Sequence, residues 1–239
     1  MTQQEFIQNH LMELRKRIII VAVAYAVLLI ACFLNVENIY RWILNDAELK
    51  LTVLGPSDIL WIYFTLASIC AFACCIPLIT YHVWAFIKPA LKPAERTAAL
   101  LFIPLLFLLF ITGAAFGYFL VFPMVFKFIV SLSDGMVETM FTAEKYFRFL
   151  FQIVLPMGLL FELPAVVLFL TEISLLTPGF MRKYRKYVYF GLVVLSAVIT
   201  PPDFVSQLFI FIPMCLLYEI SILLCSWRLQ KKSGISYNL

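Results

Sequence analysis

"RKRIIIVAVAYAVLLIACFLNV", Arg15 to Val36, is the stretch on which the fold class turns. Three bases give way to an apolar run from Ile18 to about Val36 that contains no charged side chain. A hydrocarbon core of about 30 Å needs roughly 20 apolar residues in a helix, and this run supplies them. A cleaved signal peptide starts in the same way, but its apolar region is shorter and closes on a small-x-small site. Neither feature is present, so the stretch predicts a retained first membrane helix.

The composition agrees. The 239 residues are 64% hydrophobic and 13% charged, against roughly 25% charged in soluble domains. So few polar groups would not cover a water-exposed globule, and an all-α polytopic membrane protein is expected. The net charge of +4 is too small to suggest nucleic acid as a partner. Cys32, Cys70, Cys74, Cys75, Cys215 and Cys225 all fall within or at the ends of apolar runs, with no CxxC pair. They read as small buried hydrophobes rather than a disulfide or zinc framework. His10 and His82 have no metal-ligand companion at helical spacing, so no metal or cofactor is expected.

Working outward, apolar runs near 18–36, 59–82, 98–122, 149–171, 187–200 and 204–225 predict six transmembrane helices in one membrane domain, 1–239. The fifth is short: about fourteen residues at 1.5 Å each span about 21 Å, which a bilayer meets by thinning locally. "TPPD" at 200–203 predicts a tight hairpin, since adjacent prolines lack amide donors. Bases cluster before the first span, between the second and third (Lys88, Lys92, Arg96), between the fourth and fifth (Arg182, Lys183, Arg185, Lys186) and after the sixth (Arg228, Lys231, Lys232). Thirteen of the eighteen lie on one side, so the positive-inside rule puts both termini in the cytoplasm. Pro77, Pro104, Pro156, Pro164 and Pro213 lie inside spans and predict kinks. "GAAFG", Gly113–Gly117, spaces small residues four apart and predicts close helix packing, within the chain in preference to dimerisation.

Polar residues within the spans need separate readings. Glu162 in "LLFELPAV" costs roughly 2.5–3.5 kcal/mol at bilayer centre. It fits a protonated structural carboxyl, a seat for a polar residue of a partner helix, or a proton relay. Glu219 in "LLYEISILL" meets the same penalty, and Gln207 lies nearer the other end of the sixth span. Asp203 at the mouth of that helix suits an N-terminal cap.

Just ahead of the opening stretch stands Glu13, in "HLMELRKR" (10–17). A helix over 5–17 places Ile7, Leu11, Leu14 and Ile18 on one amphipathic side, and Glu13 lies four residues before Arg17, as in a helical ion pair. A second carboxylate, Glu95, occurs in "VWAFIKPALKPAERT" (83–97). Two isolated carboxylates on a basic face would attract a ligand with separated cations, and guanidinium suits them because it binds carboxylate through two parallel hydrogen bonds.

"HLMELRKR", "VWAFIKPALKPAER", "FGYFLVFP", "FELP" and "ITPPDFVSQ" follow in this order from His10 to Gln207. In this order and register the chain resembles the TatC component of the twin-arginine protein translocase. The resemblance implies a concave, glove-like scaffold of six kinked helices in the cell membrane. It implies a cytoplasmic receptor for the paired arginines of signal peptides, with Glu13 and Glu95 engaging the motif and Arg15 and Phe86 shaping the site. It further implies single-span partners of the TatA or TatB type at a membrane face including Glu162 and Gln207, assembly with other copies, and use of the proton motive force. The sequence departs from many relatives at Thr97, where a second base is common after the arginine matching Arg96.

A different class, a proton-coupled small-solute transporter, would use Glu162 and Glu219, but no half-to-half repeat supports it. An enzyme is not expected, since no Ser–Lys, paired-aspartate or HExxH arrangement is present and no Walker-type loop for nucleotide hydrolysis occurs.

Overall fold

The computed structural model describes residues 3–45, 52, 55–87, 93–131, 142–200 and 203–233, with side chains for 12–41, 52, 55–86, 104–131, 142–200 and 203–231. The described residues form α1 (Gln3–Leu34), α2 (Val36–Asn45), α3 (Pro56–Ile87), α4 (Pro93–Phe116), a π turn (Gly117–Val121), α5 (Phe122–Ser131), α6 (Ala143–Phe161), α7 (Leu163–Glu172), α8 (Pro178–Ile199) and α9 (Phe204–Ser233). No strand forms among them; Thr52 and Thr142 make one parallel bridge, with the Ala143 amide donating to the Thr52 carbonyl at 2.9 Å.

Among the described residues, five stretches are long and apolar enough to cross a membrane: Met12–Leu34, Pro56–Phe86, Pro104–Ser131, Ala143–Glu172 and Phe204–Lys231. The fold is thus that of an all-helical, multi-pass membrane protein. α8 is not among the five, because Arg182, Lys183, Arg185 and Lys186 fall in its first nine residues. The connection expected at Pro201 and Pro202 lies outside the described residues.

Two compact units make up the chain: Met1–Phe107 with Phe141–Lys145, and Leu108–Met140 with Tyr146–Leu239. In the first, α1 packs along α3 and α2 touches both. The α1-side face of α3 carries Ala67, Ala71 and Cys75, all fully buried; small residues four apart let helix backbones approach closely. Ile18, Val23, Val27, Ile30 and Leu34 of α1 remain exposed, which in a bilayer is ordinary lipid-facing surface.

The first helix ends where Asn35 turns back on it: its amide donates to the Cys32 carbonyl at 3.1 Å and its side chain to the Ala31 carbonyl at 3.0 Å. α2 then runs on. It is a short amphipathic helix, which no apolar run in the sequence announces, and it buries Val36 and sets the Tyr40 ring 6.0 Å from that of Tyr63.

In the second unit, the expected close packing at Gly113 and Gly117 is intramolecular. A Cβ at Gly113 would stand 2.6 Å from Phe161 Cβ and 2.7 Å from the Met157 carbonyl, and one at Gly117 3.1 Å from Val154 Cα. α6 reciprocates with Gly158, against which the Phe110 ring lies at a distance no Cβ would tolerate. The π turn at Gly117–Val121 precedes Pro123, and the Phe122 amide reaches back five residues to the Gly117 carbonyl. The wider turn takes up an extra residue ahead of a proline that has no amide to donate.

The kink expected of Pro164 takes the form of a one-residue interruption within the span Ala143–Glu172. It ends α6 at Phe161 and begins α7 at Leu163, leaving Glu162 between them outside either helix. A proline ring clashes with the carbonyl four residues back but is welcome in a first turn, so the chain restarts its helix at "LP". Farther along, α7 and α8 both pack on α9, as does α5, around Ile210, Met214 and Ile222.

Candidate functional site

Each polar residue singled out above occupies a distinct setting. Glu13 lies on α1 one turn before Arg17, whose Nε and Nη2 both donate to Glu13 Oε1, at 3.2 and 2.5 Å. The same Nη2 donates to the Ala85 carbonyl at 3.2 Å, near the C-terminal end of α3. Arg17 therefore ties the carboxylate to the α3 turn that carries Phe86. The Glu13 side chain stays 37% exposed and that of Arg17 21%, so the pair is reachable from solvent.

Beside it opens a groove of about 250 Å³, lined by Glu13, Lys16, Arg17, Ile20 and His82. His82 Nδ1 is buried with no hydrogen-bond partner. A second groove of about 240 Å³ runs along α1 past Met12, Arg15, Lys16, Ile19 and Ile20, so Arg15 and Glu13 border adjacent hollows. Phe86 is half-buried. Glu95 belongs to the first turn of α4, but its side chain lies outside the described residues, as do those of Lys88, Lys92 and Arg96.

The intramembrane positions separate into occupied and open. Glu219 on α9 accepts from Arg185 Nη2 of α8 at 2.8 Å and from the Tyr189 hydroxyl at 2.5 Å. Gln207 donates through Nε2 to the Val193 carbonyl at 3.1 Å, again joining α9 to α8. Asp203 caps α9, its Oδ1 accepting from the Ser206 amide at 2.7 Å. Glu162 differs: its Oε1 is buried and has no partner. Only its backbone is engaged, with the Val166 amide donating to its carbonyl at 3.0 Å. A two-carboxylate proton path through Glu162 and Glu219 thus finds Glu219 already held by an arginine and a tyrosine.

The sequence signals neither the Arg185–Glu219 pair nor one at the end of α7. Arg228 Nε donates to Glu172 Oε2 at 2.9 Å, binding α9 to the end of α7, and the Glu172 side chain is only 17% exposed. The partners are 56 residues apart, so no local spacing signals them. Beside this contact the Thr171 hydroxyl lies 3.0 Å from Cys225 Sγ. Among the described residues no cluster of histidine, cysteine and carboxylate is placed to hold a metal ion.

Fold and site together define a multi-pass helical membrane protein whose distinctive chemistry is a reachable carboxylate–guanidinium pair on α1 beside the C-terminal end of α3. Residues 9–213 match the family described as Sec-independent protein translocase protein (TatC). The chain is 49% identical to TatCd of Bacillus subtilis (strain 168) over 94% of its own length and 93% of that protein. It is 34% identical to TatC of Aquifex aeolicus (strain VF5), covering 95% and 97%. In structure it resembles the crystal structure of the twin arginine translocase receptor TatC, with a TM-score of 0.82 and 31% identity, covering 92% of this chain and 99% of that one. The chain belongs to the TatC family. It is accordingly a protein-transport component of the cell membrane, of the Sec-independent translocase class.

Proposed function

We propose that this chain is the receptor of a twin-arginine translocase, binding the paired arginines of cargo signal peptides through Glu13 and Glu95, with Arg15 and Phe86 shaping the site. The observation that carries the reading is that Glu13 already holds a guanidinium, that of Arg17, at the edge of an open groove. Both Arg17 donors fall on Oε1, and a guest guanidinium can take the carboxylate through two parallel hydrogen bonds to both oxygens, as its planar fork favours. Arg17 then acts as a resident stand-in, displaced when the guest arrives and still anchored at Ala85.

In the same reading the chain crosses the membrane six times, with α8 as the short crossing, in a concave glove-like scaffold with both termini in the cytoplasm. The unpartnered Glu162 oxygen beside the α6–α7 break is where a polar group on a single-span partner of the TatA or TatB type docks, with Gln207 on the same membrane face. Other copies assemble alongside, and transport draws on the proton motive force.

Photocrosslinkers at positions 13 and 95 test the receptor role in membranes containing a twin-arginine substrate. Crosslinks to the signal peptide are expected, and they should fade when both arginines become lysine. Export that continues unchanged in Glu13→Ala/Glu95→Ala would overturn the assignment.

A further inference from the structure

α8 carries a surface that none of the roles above uses. Its N-terminal half begins with Thr177 capping the Phe180 amide at 3.3 Å. At 100° per residue, Phe180, Tyr184 and Tyr187 fall on one stripe, and they stand 54%, 39% and 74% exposed. Their rings form a continuous ladder, with centroids 4.6 Å apart between Phe180 and Tyr184 and 6.1 Å between Tyr184 and Tyr187. Lys183 flanks this stripe, with its Nζ 5.7 Å from the Tyr184 ring centre, and Lys186 and then Arg182 follow farther round the helix, all exposed.

Charge there is uncompensated. Arg185 turns the other way, onto Glu219, and Glu172 is taken by Arg228. Arg182, Lys183 and Lys186 make no ion pair among the described residues. Beyond Tyr187 the same helix exposes Phe190, Val194 and Val198, so a purely apolar surface begins where the bases end. That apolar part reaches only to Ile199, about 20 Å at 1.5 Å per residue. A segment so short draws lipid headgroups inward along its flank, to the level of the aromatic ladder.

We propose that the Phe180–Tyr187 segment of α8 is a binding surface for anionic phospholipid headgroups. The three cations neutralise the phosphodiester, and the ring ladder packs on the glycerol and upper acyl region, the depth at which tyrosine rings settle in bilayers. A soluble acidic peptide matches the charge but not the graded sequence of bases, aromatic rings and aliphatic side chains along one helix. This inference rests on the proposed reading of α8 as a short membrane crossing and does not depend on the signal-peptide site.

The test uses the full chain in vesicles of phosphatidylcholine doped with phosphatidylglycerol carrying a photoreactive headgroup. Crosslinks mapped by proteolysis are expected within residues 178–187. Excess unlabelled phosphatidylglycerol should reduce them at least fivefold and excess phosphatidylcholine should not, and 0.5 M salt should weaken them. Arg182→Gln/Lys183→Gln/Lys186→Gln should lose the selectivity, while Arg182→Lys retains it. Crosslinks absent from α8 in the unaltered protein, or competed equally by phosphatidylcholine, overturn the proposal. So does competition by polyglutamate stronger than that by phosphatidylglycerol.

Discussion

Glu13 and Glu172 each hold an arginine through side-chain hydrogen bonds, yet the two pairs are built on opposite plans. Glu13 and Arg17 are four residues apart on one helix, and the carboxylate is 37% exposed. Glu172 and Arg228 come from different helices, and that carboxylate is 17% exposed. A helical i, i+4 pair contributes only about 0.3–0.5 kcal/mol, because α1 exists with or without it. A partly buried pair between helices leaves a stranded charge when one side is removed, a loss of roughly 1.5–3 kcal/mol. The difference teaches that the first unit keeps a carboxylate whose partner can be exchanged at little cost, while the second unit uses its ion pairs to hold α7, α8 and α9 together.

Substitutions in the second unit should damage stability, and those at Glu13 should damage recognition alone. The largest effect is expected at Gly113→Val, where the new side chain meets Phe161 Cβ and the Met157 carbonyl. Overpacking of this kind costs about 3 kcal/mol, read as a lowered unfolding temperature in detergent. Glu172→Ala should follow with a loss of about 2 kcal/mol, and a double-mutant cycle with Arg228→Ala should recover most of it as coupling. Equal stability of Glu172→Ala and the unaltered protein would erase the contrast.

Glu13→Gln should leave the unfolding temperature unmoved and reduce retention of a twin-arginine peptide at least tenfold, about 1.4 kcal/mol. If it destabilised the chain as much as Glu172→Ala does, the carboxylate would be structural after all. Asp203→Ala removes the cap on α9 and should cost about 1 kcal/mol with no change in peptide binding. The smallest effect is the sharpest. Arg17→Gln frees Glu13 from its resident guanidinium, so peptide affinity should rise about twofold, the equivalent of a pair worth about 0.4 kcal/mol. A fall in affinity would show that Arg17 takes part in binding instead of yielding its place.

Where interactions are local, the sequence announced them. The Glu13–Arg17 spacing and the Asp203 cap each predicted the contact seen, whereas the small-residue spacing at Gly113 and Gly117 predicted close packing without its partner on α6. Predictions weakened where several local causes competed. Pro164 interrupts its span by one residue, as an interior proline does, but the spacing does not say that Glu162 is the residue left between the two helices. α2 was overlooked because an amphipathic helix of ten residues carries charges enough to resemble a loop. The candidate site was legible at Glu13 through its odd placement among bases, but nothing in the spacing marked His82 as a wall of the same groove.

Amino-acid order alone determined that this chain lives in a bilayer, where its long apolar helices run and where its bases gather. These follow from hydrocarbon thickness and the cost of burying charge, which act on each segment separately. Tertiary structure alone decided which carboxylates are spoken for. Arg185 reaches Glu219 across 34 residues and Arg228 reaches Glu172 across 56, while Glu162 Oε1 is left without a partner. Such pairings depend on which helix faces meet, and a packed interface sets that only after every helix has formed.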